Sequence, residues 1–101
     1  MALCNVKMTK QAESEFRKML KNKLLSTDDL IVIKAWVTEM EEEGPEFIAK
    51  SKRWNDHPLH TEWEGFRSSS FSFSGRIIYK VSHREIIVHV HRVTNDHNYK
   101  K

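Results

Sequence analysis

The 101-residue sequence predicts an α+β fold in which two N-terminal helices pack on one face of a small, mostly antiparallel, four-stranded sheet. In the first half, apolar side chains recur at helical spacing after two polar capping residues. After Gly65 the hydrophobic period changes to two, which indicates strands joined by short turns. The predicted order is strand, helix, helix, strand, strand, strand, in a single domain that spans residues 1–101.

The first half of the chain carries one short strand and both predicted helices. Leu3–Met8 alternates apolar and polar side chains, as half-buried strands do. Thr9 can cap a helix that runs to about Asn22, and Ser26 can start a second helix that Gly44-Pro45 ends. The predicted apolar stripes are Ala12, Phe16, Met19 and Leu20 in the first helix, and Leu30, Ile33, Trp36, Val37 and Met40 in the second.

The second half contains a connector and three predicted strands. Residues 46–65 form the connector, under which Phe47, Ile48 and Trp54 are expected to pack. The three strands are Phe66–Phe73, in which a bulge can reset the register, Arg76–Val81 and Glu85–Val93. Because the two helices cover one face of the sheet, the other face is expected to be free.

Side-chain alternation assigns residues to these two faces. In the middle strand, the side expected to contact the helices consists of Ile77, Tyr79 and Val81. The opposite side, expected to be open and cationic, consists of Arg76, Ile78 and Lys80. In the last strand, His89 and His91 share that open face with Ile87 and Val93.

Charge is distributed unevenly between the two halves. Residues 1–50 carry 8 basic and 9 acidic side chains, whereas residues 51–101 carry 9 basic and 5 acidic ones and all six histidines. The second half therefore favours a polyanionic partner such as nucleic acid. Cys4 is the only cysteine, and the sequence shows neither a signal peptide nor an apolar run that spans a bilayer, so a cytoplasmic protein without membrane contact is expected.

Histidines and arginines on one open face suit the cleavage of RNA without a metal ion or cofactor. One group must take the proton from the ribose 2′-OH, a cation must hold the phosphate, and an acid must protonate the leaving 5′-oxygen. Histidine serves as base or acid because its ordinary pKa of about 6.5 lies near working pH. Arginine suits the phosphate because its planar fork matches two oxygens.

Other roles for these residues stay open at this point. His89 and His91 can bind a metal ion, with a third ligand from His57, His60 or Glu64, or they can be hydrogen-bonded strand histidines. Arg76 can form a surface salt bridge. Trp54 and Trp63 can stack on bases, although packing is expected for Trp54.

Three motifs follow one another in the second half of the chain. The first is Asp56-His57-Pro58-Leu59, followed after a few residues by Gly65-Phe66-Arg67. The second is Gly75-Arg76-Ile77-Ile78-Tyr79, and the third is the ending Asp96-His97-Asn98-Tyr99. In this order they resemble the RelE/YafQ/ParE superfamily of bacterial toxin–antitoxin toxins, with its arginine-aliphatic-aliphatic-tyrosine strand and its aromatic-bearing tail. The helical hairpin before them has the right order and length, so the resemblance covers nearly the whole chain, with recognisable motifs from residue 56 onward.

The resemblance implies a metal-independent endoribonuclease that cleaves mRNA in the ribosomal A site and is blocked by a cognate antitoxin. It assigns Arg76 to the phosphate, His57 to catalysis and Tyr99 to orienting the substrate, with His97 and then His91 as acid or base. The residues predicted to be catalytic are thus His57, Arg76, His91, His97 and Tyr99. Those predicted to bind RNA are His60, Arg67, Lys80, Arg92, Lys52 and Arg53.

The sequence departs from the superfamily's pattern in the strand after Phe66. Where members similar to YafQ often carry a histidine, this chain has Ser68-Ser69-Ser70. The general base is therefore the least specified role. Two other functions remain: a ParE-like gyrase inhibitor that needs no catalytic residues, and an RNA-binding module without activity.

Overall fold

The computed structural model describes residues 5–82 in full and the backbone of residues 85–88 and 93–94. Its strands are β1 (Asn5–Met8), β2 (His57–Pro58), β3 (Arg67–Ser70), β4 (Arg76–Ser82), β5 (Glu85–Val88) and β6 (Val93–Thr94). Its helices are α1 (Lys10–Lys21), α2 (Thr27–Glu43) and α3 (Pro45–Lys50), with a 3₁₀ turn at Thr61–Trp63. The α+β class is confirmed, but these ranges hold three α-helices and six strands where two and four were predicted.

The predicted helix starts are confirmed by their hydrogen bonds. Thr9 Oγ1 accepts from the amide of Ala12 at 3.0 Å, and Ser26 and Asp29 exchange two bonds of 3.0 Å in a capping box. At Gly44 the backbone φ is 90°, a value that favours glycine, and α2 ends there as predicted. The helical path then resumes as α3, because the ring of Pro45 presets the helical φ at a first position.

The strands form a mostly antiparallel sheet, as predicted. Its order is β1-β5-β4-β3-β2, and β6 also pairs with β4. β1 lies parallel to β5, whereas the other described pairs are antiparallel. Within the described ranges, none of the helices has the length and apolar character needed to cross a bilayer.

Two short strands, β5 and β6, cover the described parts of the predicted strand Glu85–Val93. Lys80 of β4 pairs with Ile87, and Ile77 of β4 pairs with Val93. Lys80 and Ile77 are three positions apart in β4, whereas their partners Ile87 and Val93 are six positions apart. The difference of three positions is odd, and an odd difference moves side chains to the opposite face. A single regular alternation of faces therefore does not connect β5 to β6. His89 and His91, between the two strands, lie outside the described residues.

The core lies between the helices and the face of the sheet that carries Ile77 and Tyr79. Trp36 of α2 meets Tyr79 edge-on, with ring centroids 5.3 Å apart. Ile48 and Trp54 are fully buried, which confirms their predicted packing. Phe47 and Val81 are 46% and 37% exposed, so their predicted burial is wrong. Each is at a position that the layers do not cover: Phe47 on the outer side of α3 and Val81 near the end of β4.

A second, smaller cluster covers part of the opposite face, which was expected to be open. Ile78 is fully buried there under Leu59, Trp63 and Phe66. Trp63 and Phe66 meet edge-on with ring centroids 5.6 Å apart. The connector therefore folds back over the sheet, and this packing accounts for Trp63 without contact to a base.

The turn between β3 and β4 depends on the smallest side chain in the chain. The pairing from Arg67 with Tyr79 to Ser70 with Arg76 is unbroken, so the bulge considered for this strand is absent. Phe71 then lies opposite Gly75, whose carbonyl accepts from the amide of Phe71 at 3.1 Å. A Cβ on Gly75 would lie 2.2 Å from Phe71 Cζ. Gly75 is required because the ring of Phe71 occupies the place of its side chain.

Gly75→Ala is expected to lower the free energy of unfolding by about 2–3 kcal/mol, because the buried ring of Phe71 must move. Urea denaturation measures this loss. The double variant Gly75→Ala/Phe71→Leu should recover part of the stability that Gly75→Ala loses, since the smaller side chain clears the space. A single variant as stable as the wild type would contradict the predicted close contact.

Candidate functional site

The face opposite the helices, called the front face below, carries three of the described candidate residues. Cross-strand pairs place His57 of β2 beside Ser68, and Ser68 beside Ile78. Residues directly opposite one another in antiparallel strands point to the same side. Ser70 with Arg76 lies one step along the sheet, and Lys80 lies on the other side of Ile78. His57, Arg76 and Lys80 therefore share the front face, as predicted for Arg76 and Lys80.

His57 is exposed, and one of its ring nitrogens is already committed. Its Nδ1 lies 3.2 Å from the carbonyl oxygen of Pro58. A carbonyl oxygen only accepts hydrogen bonds, so Nδ1 carries the proton in this contact. In the neutral ring this leaves the lone pair on Nε2. His57 thus has the form of a base that faces solvent.

Arg76 is more enclosed than an open cationic face implies. Its exposed fraction is 8%, and its Nη1 donates to the carbonyl oxygens of Ser72, Phe73 and Gly75 at 3.4, 3.3 and 2.9 Å. The guanidinium therefore lies under the β3–β4 turn and helps to hold it. This corrects the expectation that Arg76 is a surface cation, because its side chain also stabilises the fold.

The remaining predicted RNA-binding residues in the connector and β4 are exposed but differ in their contacts. Lys80 Nζ lies 5.5 Å from the ring centroid of Phe66. Arg53 lies 4.5 Å from the ring centroid of Trp54 and 3.4 Å from Glu39 Oε2. Lys52 and His60 are also exposed. These cations are available at the surface, although Arg53 is shared with α2.

A buried carboxylate lies behind this face, at Asp56. Its side chain is fully buried and accepts three hydrogen bonds: from Arg67 Nε at 2.6 Å, Ser69 Oγ at 2.6 Å and Tyr79 Oη at 2.5 Å. Buried carboxylates require such donors because desolvation otherwise disfavours the charge. These four side chains, called the Asp56 cluster below, connect the connector to β3 and β4.

Arg67 belongs to this cluster and not to the front face, and its predicted role in binding RNA stays a prediction. Its strand partner is Tyr79, so both side chains point toward the helices. Burial opposes the charge of Arg67, but the hydrogen bond and the negative charge of Asp56 outweigh it and raise the pKa of Arg67. Arg67 neutralises Asp56.

Sequence reasoning missed Asp56 as a site residue, although two signals pointed to it. Asp56 lies between the apolar residues Trp54 and Leu59, where a charge is unexpected. Tyr79 was assigned to the helix side, and a buried tyrosine hydroxyl needs a hydrogen-bond partner. Neither signal identifies the partner, because 23 residues separate Asp56 from Tyr79.

Four predicted site residues cannot be placed beside the others. His91, Arg92, His97 and Tyr99 lie outside the described residues. Their roles stay predictions. The described residues include no group of three or more histidine, cysteine, aspartate or glutamate side chains able to hold a metal ion.

Proteins of known structure share this architecture. A copper-bound mutant toxin from Helicobacter pylori is 23% identical over 83% of this chain and 86% of its own, with a TM-score of 0.65. A mutant of YafQ from E. coli is 17% identical over 85% and 88%, with a TM-score of 0.65. A YoeB dimer from Staphylococcus aureus is 16% identical over 97% and 100%, with a TM-score of 0.66.

The chain has the RelE-type toxin fold. The resemblance inferred from the sequence is thereby confirmed at the level of the fold. No family model and no curated protein matches the sequence. Within this RelE-type fold, the Asp-His-Pro-Leu step occupies the edge strand β2 and the segment that follows it.

Because of Tyr79, the free energy of unfolding is expected to fall at alkaline pH. Burial, and then the charge of Asp56, raise the pKa of its phenol above the ordinary value of 10.0. The neutral phenol is favoured in the folded state, so its contribution is complete below pH about 10 and is lost as pH rises above it. Above that pH, the free energy of unfolding should fall by up to about 1.4 kcal/mol more per pH unit in the wild type than in Tyr79→Phe. Equal slopes in denaturation at several pH values would contradict this.

The Asp56 cluster is expected to act as a unit. Asp56→Ala should lower the free energy of unfolding by about 3 kcal/mol, because it leaves Arg67 without its counter-charge and two buried hydroxyls without an acceptor. Tyr79→Phe should cost about 1–2 kcal/mol. In a double-mutant cycle the coupling should reach at least about 1 kcal/mol, and additive losses would show that the two side chains do not interact.

Proposed function

We propose that this protein is the toxin of a toxin–antitoxin pair and a metal-independent endoribonuclease. Its substrate is mRNA in the ribosomal A site, its place of action is the cytoplasm, and its effect is arrest of translation. The RelE-type fold supports the toxin assignment. The exposed His57, whose Nδ1 lies against the carbonyl oxygen of Pro58, is the observation that supports catalysis.

His57 suits the role of general base in this reaction. Its Nε2 takes the proton from the ribose 2′-OH, and the resulting oxyanion attacks the adjacent phosphorus. The bond from phosphorus to the 5′-oxygen breaks, and a 2′,3′-cyclic phosphate remains on the upstream fragment. An acid delivers a proton to the departing 5′-oxygen, and His97 or His91 is proposed for this step.

The cations of the front face stabilise the charge that builds on the phosphate. Strand spacing puts the Cα atoms of His57 and Arg76 roughly 12 Å apart, two strands across and two residues along. This distance is on the scale of one nucleotide. Lys80 extends the positive surface along β4, with Arg92 and the ring of Tyr99 as proposed additions from the tail.

The proposed partner is an antitoxin that covers the front face. Two neighbours in fold are complexes of this kind: DinJ–YafQ from E. coli and YoeB–YefM from Staphylococcus aureus. The net charge of +4 for residues 51–101, from 9 basic and 5 acidic side chains, favours an acidic partner segment. Binding of such a segment would exclude RNA by occupying the same cations.

Loss of the base should abolish cleavage without loss of the fold. His57→Ala is expected to lower the rate of mRNA cleavage at least 10²-fold, because a positioned general base contributes about 10²–10⁴-fold. Its thermal stability should match that of the wild type, since the ring is exposed. Induced expression in a bacterial host, followed by mapping of mRNA 5′ ends and by the rate of translation, measures the effect.

Arg76 needs a gentler substitution because its side chain also holds a turn. Arg76→Lys keeps the charge but loses the planar fork, so it should impair cleavage more than it impairs folding. Lys34→Ala on α2 removes an exposed cation away from the front face and is the control.

Cleavage that persists in His57→Ala would refute the assignment of the base. Growth arrest with DNA damage signalling and intact mRNA would favour the gyrase inhibitor, and no growth effect would leave the binding module.

A further inference from the structure

We propose that Asp56 is a positioning residue for His57: its buried carboxylate fixes the two-residue edge strand that carries the base. This inference rests on the proposed function for its catalytic consequence. Its structural consequence, a fixed orientation of His57, can be measured without RNA. The sequence motif does not show that Asp56 and His57 differ in burial. In the structure, the side chain of Asp56 is buried and that of His57 is exposed.

The segment before His57 contains one residue too many for regular pairing. Ser70 donates its amide to the carbonyl of Trp54 at 2.7 Å, whereas Ser68 pairs with His57. Ser69 of β3 therefore faces two connector residues, Asn55 and Asp56. Asn55 takes up the extra residue with a φ of 46°, in the left-handed region. Such a bulge re-aims the side chains that follow it.

The bulge places Asp56 opposite Ser69, and consecutive residues of an extended chain point to opposite faces. Asp56 therefore points to the helix side, where it accepts from Ser69 at 2.6 Å. His57, the next residue, must then point to the front face. The direction of the Asp56 carboxylate therefore fixes the direction of the His57 imidazole.

Apart from the burial of Leu59 next to it, β2 has few contacts that hold it in place. It consists of two residues at the edge of the sheet, and Pro58 has no amide hydrogen to donate. Beyond it, the amide of Leu59 donates to the carbonyl of Phe66 at 2.9 Å. The three bonds of the Asp56 carboxylate join β2 to both β3 and β4. They are the strongest restraint on this edge, because the acceptor is charged and fully buried.

A carboxylate is required here because every neighbour is a donor. Asp56→Asn keeps the shape and can still accept from Ser69 or Tyr79. Its amide nitrogen, however, cannot accept from the Nε of Arg67. The substitution therefore loosens β2 while it preserves most of the core. It is a sharper test than Asp56→Ala, which risks unfolding the protein.

The first measurement is made by NMR on the protein alone. In the wild type, the nitrogen shifts of His57 should show the proton on Nδ1, and the amide of Leu59 should exchange slowly. In Asp56→Asn, the ring should become a mixture of tautomers and the exchange of Leu59 should accelerate at least tenfold. Unchanged shifts and exchange in that variant would overturn the inference.

The second measurement is cleavage kinetics. Asp56→Asn should lower kcat at least tenfold with KM within about twofold of the wild type, since a base displaced by about 1 Å loses rate more than affinity. Ile48→Val, which removes a methyl group from the buried core away from β2, is the control and should lower thermal stability without changing kcat. Asp56→Asn/Arg67→Gln should recover part of the rate, because the amide of a glutamine at 67 can take the place of Nε and pair with the asparagine.

The outcomes separate this inference from the proposed function. If the wild type cleaves and Asp56→Asn cleaves equally well, the positioning role is wrong while the function stands. If the wild type does not cleave RNA, the function is wrong, and the NMR result alone decides whether Asp56 orients His57. If the control loses kcat as Asp56→Asn does, the effect is one of stability and the positioning role is wrong.

Discussion

The structure depends on how one carboxylate is accommodated inside it. Asp56 is fully buried at the seam between the connector and the sheet, where an unpaired charge costs several kcal/mol. Arg67, Ser69 and Tyr79 supply three donors from two strands, so the charge is solvated by the protein itself. These hydrogen bonds fix the position of the connector relative to the sheet. Loss of any donor leaves the buried carboxylate short of a hydrogen bond, which makes the cluster cooperative.

The two faces of β4 contribute to two different apolar clusters. On one side, Ile77 and Tyr79 contact the helices and form the main core. On the other side, Ile78 is covered by the aromatic and aliphatic residues of the connector, while Lys80 remains exposed. The front face is therefore a short basic surface beside a small apolar cluster. That cluster supports the exposed histidines because Leu59, between them in sequence, is 8% exposed and anchored in it.

Strain and buried polarity concentrate around the same segment. Asn55 and Thr61 bracket the histidines, and both have positive φ, at 46° and 59°. For Thr61, a β-branched residue, this conformation costs about 1–2 kcal/mol, in part offset by the bond of 2.6 Å from its hydroxyl to the carbonyl of His60. Backbone strain of this kind persists where the surroundings fix it, and it clusters at functional sites. The similarity to known toxin structures, at 16–23% identity, lies in the arrangement of the layers.

The sequence by itself determined the class of the fold, both helix starts and the burial of Ile77 and Tyr79. Each of these follows from a local signal, a cap or a period. Only the tertiary structure decided that Arg67 turns away from the front face, that Arg76 lies under a turn and that the connector covers Ile78. These outcomes depend on partners far along the chain, such as Asp56 with Tyr79, and on a single extra residue at Asn55 that sets the face of everything after it. Side-chain alternation along a strand determines which residues share a face. The bulge at Asn55 and the buried charge of Asp56 determine which face of the sheet those residues occupy.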